Sequence, residues 1–182
     1  MNIQTCELEG LLIIQPKVFG DARGFFMETW NQRDYRQHGL AWEFVQDNLS
    51  LSRRGTLRGL HFQNPHPQAK LLQVLEGEVF DVAVDIRRSS STFGRWYGLV
   101  LSAANKLQFF VPPGFAHGFA VLTDTALFHY KCTDFYSPTD ETGLRWDDAD
   151  IAIQWPFKEP LLSPRDAKAL RLSELPPERL FP

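Results

Sequence analysis

The feature that most constrains this chain is a succession of short strand-like segments separated by turn residues. Residues 44–51 and 78–86 alternate polar and apolar side chains, which is typical of strands with one buried face. Further strands are predicted at residues 11–14, 56–63, 70–75, 95–101, 107–111, 119–122, 126–133 and 151–155. Glycine and proline mark the turns between many of them. This spacing predicts an all-β fold of the sandwich, jelly-roll or barrel type.

Helix signals are sparse and predict only a few short helices. Asn31 is a candidate N-cap for a helix that ends before Gly39. Ser163 is a candidate cap for a second helix, with Pro164 in its first turn. Because no repeat or linker divides the sequence, we expect residues 1–182 to form one domain with a C-terminal tail from about residue 173.

Charge and composition argue against several classes of partner. The formal net charge of −3 disfavours broad binding to nucleic acid or to anionic membranes. No apolar run approaches the length of a membrane span, and the N-terminus does not have the pattern of a signal peptide. Two cysteines exclude a disulfide framework. We therefore expect a cytoplasmic protein without nucleic-acid or membrane partners.

Polar side chains occupy several strand positions where apolar ones would pack better. They are Gln46, Asn48, Arg58, His61, Gln63, Lys70, His117, Tyr130 and Lys131. Either they line a polar pocket inside a barrel, or they face water on the outer sheet surface. Gln46 and Asn48 lie on the same face of their strand. Arg58 and His61 are three residues apart and would lie on opposite faces of a regular strand. If both face the same pocket, the strand must have a bulge at Gly59.

Two histidine motifs resemble those of the cupin superfamily. His61 lies in Arg-Gly-Leu-His-Phe-Gln, and His117 lies in Pro-Pro-Gly-Phe-Ala-His. The first cupin motif usually supplies a His-x-His pair to a metal, whereas here Gln63 stands at the second histidine position. Two imidazoles and a distant glutamate leave a three-ligand metal site as an alternative. We expect no metal and no other cofactor.

Seven blocks in unbroken order resemble one family, the dTDP-4-dehydrorhamnose 3,5-epimerases. The blocks are residues 18–26, 44–48, 57–62, 77–87, 113–119, 130–133 and 162–167. The resemblance implies a cupin-like jelly-roll barrel with a few short helices. It also implies an isomerase of dTDP-L-rhamnose biosynthesis that inverts C3 and C5 of dTDP-4-dehydro-6-deoxy-D-glucose, giving dTDP-4-dehydro-L-rhamnose.

The resemblance assigns chemical roles that suit this reaction. Both carbons lie alpha to the C4 ketone, so each inversion needs a base, a stabiliser of enolate charge and an acid on the opposite face. His61 corresponds to the base and Asp166 to the carboxylate that orients it. Tyr130 corresponds to the acid, with Tyr136 as the competing candidate. Lys70 corresponds to the cation near the C4 oxygen.

The resemblance also implies a set of substrate contacts and a homodimer. The contacts are Arg23, Phe26, Glu28, Gln46, Asp47, Asn48, Arg58, Lys70, His117, Tyr136, Glu141 and Arg165. The two arginines Arg23 and Arg58 suit a pyrophosphate, while Arg165 stands where the family often has lysine. Because N-terminal strands of the family cross into the partner's sheet, Arg23, Phe26 and Glu28 are expected to serve the neighbouring subunit's site.

Three alternative functions stay open from the residues alone. A relative that inverts only C3 or only C5 of a dTDP-4-keto-6-deoxy sugar, in a natural-product pathway, can share the same catalytic groups. A metal-dependent cupin enzyme would use His61 and His117 as ligands. A non-catalytic jelly roll would bind a nucleotide sugar without turning it over.

Overall fold

The computed structural model describes residues 1–182 and is built mainly from β-strands. The strands are β1 (Asn2–Thr5), β2 (Leu12–Gln15), β3 (Val18–Asp21), β4 (Gly24–Met27), β5 (Gln46–Arg53), β6 (Leu57–Gln63), β7 (Lys70–Glu76), β8 (Glu78–Asp85), β9 (Trp96–Ser102), β10 (Gln108–Val111), β11 (Phe115–Val121), β12 (Thr125–Cys132) and β13 (Glu141–Gly143). One α-helix, α1, spans Gln32–Gln37, and short 3-10 helices span Asp166–Lys168, Leu172–Glu174 and Pro177–Arg179. No helix has the length and apolar character needed to cross a membrane.

Two antiparallel sheets face each other across the main core. One has six strands in the order β1-β2-β10-β7-β12-β5, and the other has five in the order β13-β6-β11-β8-β9. The strands β3 and β4 form a separate hairpin. Two facing sheets with strand neighbours that are distant in sequence form a jelly roll, which confirms the predicted cupin-like fold. The sheets are not hydrogen-bonded to each other into a closed barrel.

Strand alternation divides the space between the sheets into an apolar end and a polar end. Leu72 and Val74 of β7 and Phe128 of β12 point inward and are buried in the largest apolar cluster. Each such side chain contributes about 1.5–3 kcal/mol on burial. Lys70 and Tyr130 share the parity of these residues on the same two strands, but they line an open cavity. The polar residues noted in the sequence therefore lie at one end of the jelly roll.

The C-terminal segment covers the outer face of the five-stranded sheet. Leu175 and Leu180 are buried there, in a second apolar cluster with residues of β6, β8 and β11. The main-chain N–H of Phe181 donates to the carbonyl of Ile86 at 3.3 Å, and Arg88 N–H donates to the Phe181 carbonyl at 2.9 Å. The predicted tail is thus packed against the outer face of this sheet.

The prediction of a strand at residues 151–155 is wrong. Ile151 is buried against the five-stranded sheet, so the segment has the apolar alternation of a strand. Its main chain turns instead: Ala152 N–H donates to the Asp148 carbonyl, and Trp155 N–H donates to the Ile153 carbonyl. The apolar residues alternate in this segment because one side of an irregular chain packs against the sheet.

Helix α1 packs on the outer face of the six-stranded sheet. Tyr35 is buried there in an apolar cluster that includes Leu71 and Phe110. Asn31 occupies the predicted N-cap position, but its side-chain amide donates to Glu28 at 3.2 Å and caps no main-chain group. The helix ends at residue 37, before the glycine predicted to terminate it.

Candidate active site

The polar end of the jelly roll opens into a cavity of about 700 Å³. Strands β5, β6, β7, β11 and β12 line it with their inward-facing residues, and residues 161–166 close one side. The predicted site residues that line it are Gln46, Asn48, Arg58, His61, Lys70, His117, Tyr130, Tyr136, Glu141, Arg165 and Asp166. Phe119 and Phe128 stack at a ring distance of 4.2 Å at its apolar end.

A bulge in β6 brings Arg58 and His61 to the same cavity. His61 lies opposite His117, and Arg58 lies opposite Phe119, so two residues of β6 oppose one of β11. Gly59 has a φ of +109°, which only glycine adopts easily. A Cβ at this position would lie 2.6 Å from backbone atoms of β11. The structure therefore confirms the bulge that the opposite parity of Arg58 and His61 requires.

His61 forms a short hydrogen bond with a carboxylate from the C-terminal part of the chain. Its Nε2 lies 2.6 Å from Asp166 Oδ1, and Ser163 Oγ donates to Asp166 Oδ2 at 2.8 Å. Burial alone raises the pKa of Asp166, but the hydrogen bond and charge of His61, together with Ser163, outweigh it and the pKa is lowered. With Nε2 donating to this carboxylate, Nδ1 is left with a lone pair that can accept a proton.

Ser163 lies just before the 3-10 helix that presents this carboxylate and binds the first residue of that helix. Its Oγ accepts the main-chain N–H of Asp166 at 3.1 Å. The sequence indicated Ser163 as the cap of a short helix, but the N-cap position is Arg165. Ser163 instead binds both the main-chain N–H and the carboxylate of Asp166.

A second imidazole–carboxylate pair lies deeper in the cavity. His117 Nε2 lies 2.9 Å from Asp81 Oδ1, and Asp81 Oδ2 is buried without a hydrogen-bond partner. Burial lowers the pKa of His117 and raises that of Asp81, although the two groups partly offset each other's shift. Sequence analysis missed Asp81; its only signal was a carboxylate at an inward position of β8.

Tyr130 and Lys70 project from the wall opposite His61. Both lie in the six-stranded sheet, whereas His61 belongs to the five-stranded sheet. Burial raises the pKa of Tyr130 to about 12, so its hydroxyl keeps its proton at neutral pH. Burial lowers the pKa of Lys70, while nearby acidic groups including Glu141 and Asp81 oppose the shift. The cavity thus offers a base on one wall and a proton donor on the other.

Hydrogen-bonded side chains fix the rim of the cavity. Tyr136 OH donates to Glu141 Oε2 at 2.9 Å, and Arg165 forms an ion pair with the same carboxylate. The main-chain N–H of Tyr136 donates to Gln46 Oε1 at 2.9 Å. Gln46 Nε2 donates to Asn48 Oδ1, also at 2.9 Å. This rim presents amide, phenol and guanidinium groups to a polar ligand.

Arg58 is oriented by a residue that sequence analysis did not single out. The Arg58 Nε–H donates to Ser52 Oγ at 2.9 Å, and Ser52 is buried on the adjacent wall. The other guanidinium nitrogens of Arg58 are left for a ligand such as a phosphate.

Four of the predicted contacts do not line the cavity of this chain. Asp47 points to the other face of β5, where Lys131 Nζ donates to its carboxylate at 2.6 Å. Arg23 and Phe26 lie on the exposed β3–β4 hairpin, and Glu28 follows it. For Asp47 the reason is strand alternation between Gln46 and Asn48. Arg23 and Phe26 lie away from the cavity because their hairpin pairs with neither of the two facing sheets.

The residues do not form the metal site that a cupin metalloenzyme needs. No three His, Cys, Asp or Glu side chains are arranged to hold an ion. The Nε2 atoms of His61 and His117 bond to carboxylates. Gln63, at the second histidine position of the cupin motif, binds main-chain groups of two loops.

Comparison with known proteins identifies the family. A sequence profile of dTDP-4-dehydrorhamnose 3,5-epimerases matches residues 5–174. The chain belongs to the dTDP-4-dehydrorhamnose 3,5-epimerase family. The 3,5-epimerase of Shigella flexneri is 55% identical over 168 residues, covering 91% of this chain and 93% of that protein. A Legionella pneumophila 3,5-epimerase, crystallised with dTDP-4-keto-L-rhamnose, is 50% identical with a TM-score of 0.96, covering 99% of this chain and 97% of that one.

Relatives with a narrower reaction are less similar. The dTDP-4-dehydrorhamnose 3-epimerase of Streptomyces niveus is 37% identical, covering 100% of this chain and 89% of that protein. Within the epimerase family, identity therefore favours the 3,5-epimerases over this 3-epimerase.

Proposed function

We propose that this member of the 3,5-epimerase family inverts C3 and C5 of dTDP-4-dehydro-6-deoxy-D-glucose without a cofactor. The product is dTDP-4-dehydro-L-rhamnose, a precursor of dTDP-L-rhamnose. One observation carries the proposal: the His61–Asp166 pair and Tyr130 stand on opposite walls of one cavity. Inversion of a carbon requires proton removal from one face and proton delivery to the other.

His61 is the proposed base. The C4 ketone acidifies the hydrogens on both neighbouring carbons, and the imidazole takes one of them while the C–H electron pair moves toward the C4 oxygen. Asp166, whose lowered pKa keeps it ionised, stabilises the imidazolium that forms. The hydrogen bond between the two side chains also fixes the tautomer of the imidazole.

Lys70 is the proposed stabiliser of the enolate. Its side chain lines the cavity from β7, and its Nζ donates to the main-chain carbonyl of His61 at 3.5 Å. The attraction between an ammonium group and a developing oxyanion is stronger when the site is shielded from solvent. His117, oriented by Asp81, lines the same deep part of the cavity and is a proposed substrate contact.

Tyr130 is the proposed acid. Its raised pKa of about 12 keeps the phenol protonated until an enolate carbon accepts the proton from the wall opposite His61. Each inversion removes one proton and returns one, so substrate and product have the same composition. Tyr136 is the alternative acid, but its hydroxyl is exposed at the rim and donates to Glu141.

The rim and the adjoining wall are the proposed nucleotide site. Arg58 and Arg165 present guanidinium groups suited to the pyrophosphate, and Gln46, Asn48 and Tyr136 present amide and aromatic surfaces. Solved relatives from this family hold dTDP-4-keto-L-rhamnose in one case and TDP in another.

A homodimer is proposed to complete the site with Arg23, Phe26 and Glu28. The β3–β4 hairpin exposes Phe25 at 61% and Phe26 at 65% of their surface, and a two-stranded hairpin has no core of its own. Exposed apolar surface of this kind marks an interaction site. The subunit is proposed to act as one domain in the cytoplasm.

The stereochemistry of the product tests this function. The chelator-treated protein is incubated with dTDP-4-keto-6-deoxyglucose, the C4 ketone is reduced with borohydride, and the released sugars are identified. L-Rhamnose and 6-deoxy-L-talose are expected, because both carbons must be inverted to give them. Only 6-deoxy-D-allose and 6-deoxy-D-gulose would indicate a 3-epimerase. If all the sugars keep the C3 and C5 configuration of the substrate, the result would indicate a binding function or a metal-dependent enzyme.

A further inference from the structure

The loop between β12 and β13 presents two side chains of the rim. It carries Tyr136 and leads directly into Glu141, and both line the cavity. Within this segment the N–H groups of Asp140 and Glu141 both donate to the carbonyl of Ser137. No strand ladder holds residues 134–140, so the position of Tyr136 depends on groups outside the loop.

Gln63 holds this loop from the inside. The Ser137 N–H donates to Gln63 Oε1 at 2.9 Å, and Gln63 Nε2 donates to the carbonyls of Phe135 at 3.2 Å and His66 at 2.9 Å. These contacts flank Tyr136 on both sides. A carboxamide supplies one acceptor and two donors at once, which an imidazole at this position would not.

Arg179, from the C-terminal tail, holds the other end of the loop. Its Nη1 donates to the carbonyls of Asn64 at 3.0 Å, Thr139 at 3.3 Å and Asp140 at 3.4 Å, and its Nη2 also reaches Thr139 at 3.3 Å. Thr139 and Asp140 are the two residues that precede Glu141 in the chain. The guanidinium forms no ion pair, so its hydrogen bonds all go to main-chain carbonyls of two loops.

The tail itself is fixed, so Arg179 can act as a clamp. Leu175 and Leu180 on either side of it are buried in the apolar cluster beneath the sheet. Asn64 Nδ2 donates back to the carbonyls of Arg179 at 3.2 Å and Leu180 at 3.1 Å. This contact lies beyond residue 174, where the match to the family profile ends.

We propose that Arg179 is a positioning residue that holds Tyr136 and Glu141 in place for substrate binding. The inference rests on the proposed function and deepens it. Without the guanidinium, the Thr139 and Asp140 carbonyls lose their donor. The loop that carries Tyr136 then keeps only the bonds from Gln63 and Gln46, and the rim group is held less firmly. Because this group lies at the rim, the loss falls mainly on KM and on affinity for dTDP.

The test compares Arg179→Ala, Arg179→Lys and the control Arg88→Ala. Arg88 is exposed, and only its main chain touches the tail. We expect about a tenfold loss of kcat/KM for Arg179→Ala, mostly in KM, because hydrogen bonds from a charged donor are lost. Lysine is expected to recover part of the loss, and Arg88→Ala to behave as wild type. In a Tyr136→Ala background, Arg179→Ala is expected to add little further loss.

Three results would overturn the inference. They are a kcat/KM of Arg179→Ala within about twofold of wild type, an equal loss in Arg88→Ala, or full additivity with Tyr136→Ala. If circular dichroism shows that Arg179→Ala does not fold, Arg179→Lys is judged by the same criteria. An inactive wild type that still binds dTDP would refute the proposed function instead, and dTDP affinity of the variants would still test the clamp.

Discussion

Two histidines of the cavity are each paired with a carboxylate, yet their surroundings differ. Asp166 is held by Ser163 as well as by His61, and its pKa is lowered. Asp81 is fully buried with one unpartnered oxygen, and its pKa is raised. A carboxylate that stays ionised can stabilise an imidazolium formed during turnover. These differences distinguish His61 as the proposed base from His117 as a substrate contact.

Replacing His61 with alanine should separate binding from catalysis. We expect a turnover loss on the order of 1000-fold, because the general base is removed. Affinity for dTDP, measured by calorimetry, should stay close to that of wild type because the rim is unchanged. The exposed His38→Ala variant is the control and should retain both properties. Equal loss of turnover and dTDP affinity in His61→Ala would contradict the role of base.

Replacing Tyr130 with phenylalanine should stop epimerisation while sparing proton abstraction. Exchange of substrate hydrogen with D2O from the face served by His61 should continue, and formation of inverted product should fall on the order of 100-fold. Product formation at the wild-type rate would transfer the acid role to Tyr136.

The raised pKa of Tyr130 can be tested separately by titration. Tyr130 has a pKa of about 12, above the ordinary value of about 10. A raised pKa means that the folded protein holds this proton, so its stabilising contribution is present below about pH 10 and is lost as pH rises toward 12. Ultraviolet titration from about pH 9 to about pH 11 should therefore match between wild type and Tyr130→Phe. If the variant lacked the absorbance change of one tyrosine in this pH range, the raised pKa of Tyr130 would be contradicted.

The residues at the proposed catalytic positions were predictable from the sequence, whereas some hydrogen-bond partners of the cavity residues were not. His61, Lys70 and Tyr130 interrupt apolar strand patterns, and the structure brings all three to the cavity. Asp81 and Ser52 were missed because strand pairing, which local sequence does not encode, sets what their side chains meet.

Among the strands, β6 carries the bulge that brings Arg58 and His61 to one cavity. Gly59→Ala must place a Cβ at 2.6 Å from backbone atoms of β11 with a φ of +109°. We expect a loss of unfolding free energy on the order of 3 kcal/mol, measured by chemical denaturation, together with reduced turnover. The control Gly39→Ala has a φ of +91° but no atom within 4 Å of the added carbon, and about 1 kcal/mol is expected. Equal losses would show that the close approach to β11 does not matter.

Strand prediction succeeded for the long strands and for the four-residue strands β2 and β10, and it failed for the other short strands. Most strands of the two facing sheets were predicted within a few residues. The patterns missed β1, β13 and the β3–β4 hairpin, each of which has four residues or fewer. Such segments give too few alternating positions to be told from loops, and the hairpin contributes nothing to the apolar core.

For the whole molecule, exposed apolar surface supports the proposed homodimer. Besides the hairpin, the outer face of β5 leaves Leu49 exposed at 60% and Leu51 at 63%. Large side chains on a strand that would otherwise face water indicate a covering partner.

Mixing two inactive variants tests whether the hairpin serves the partner's site. Arg23→Ala and His61→Ala homodimers are refolded together. If Arg23 acts in the neighbouring subunit, each mixed dimer holds one intact site and about a quarter of wild-type turnover should return. If Arg23 acts in its own subunit, no mixed dimer is intact and turnover stays absent.

The central claim is that one cavity exchanges protons at both carbons beside the ketone. Proton NMR of the chelator-treated protein with dTDP-4-keto-6-deoxyglucose in D2O tests it most directly. Deuterium is expected at both C3 and C5, with inversion at each, because His61 and Tyr130 serve opposite faces of the sugar. Deuterium at only one of the two carbons, or at neither, would contradict the account.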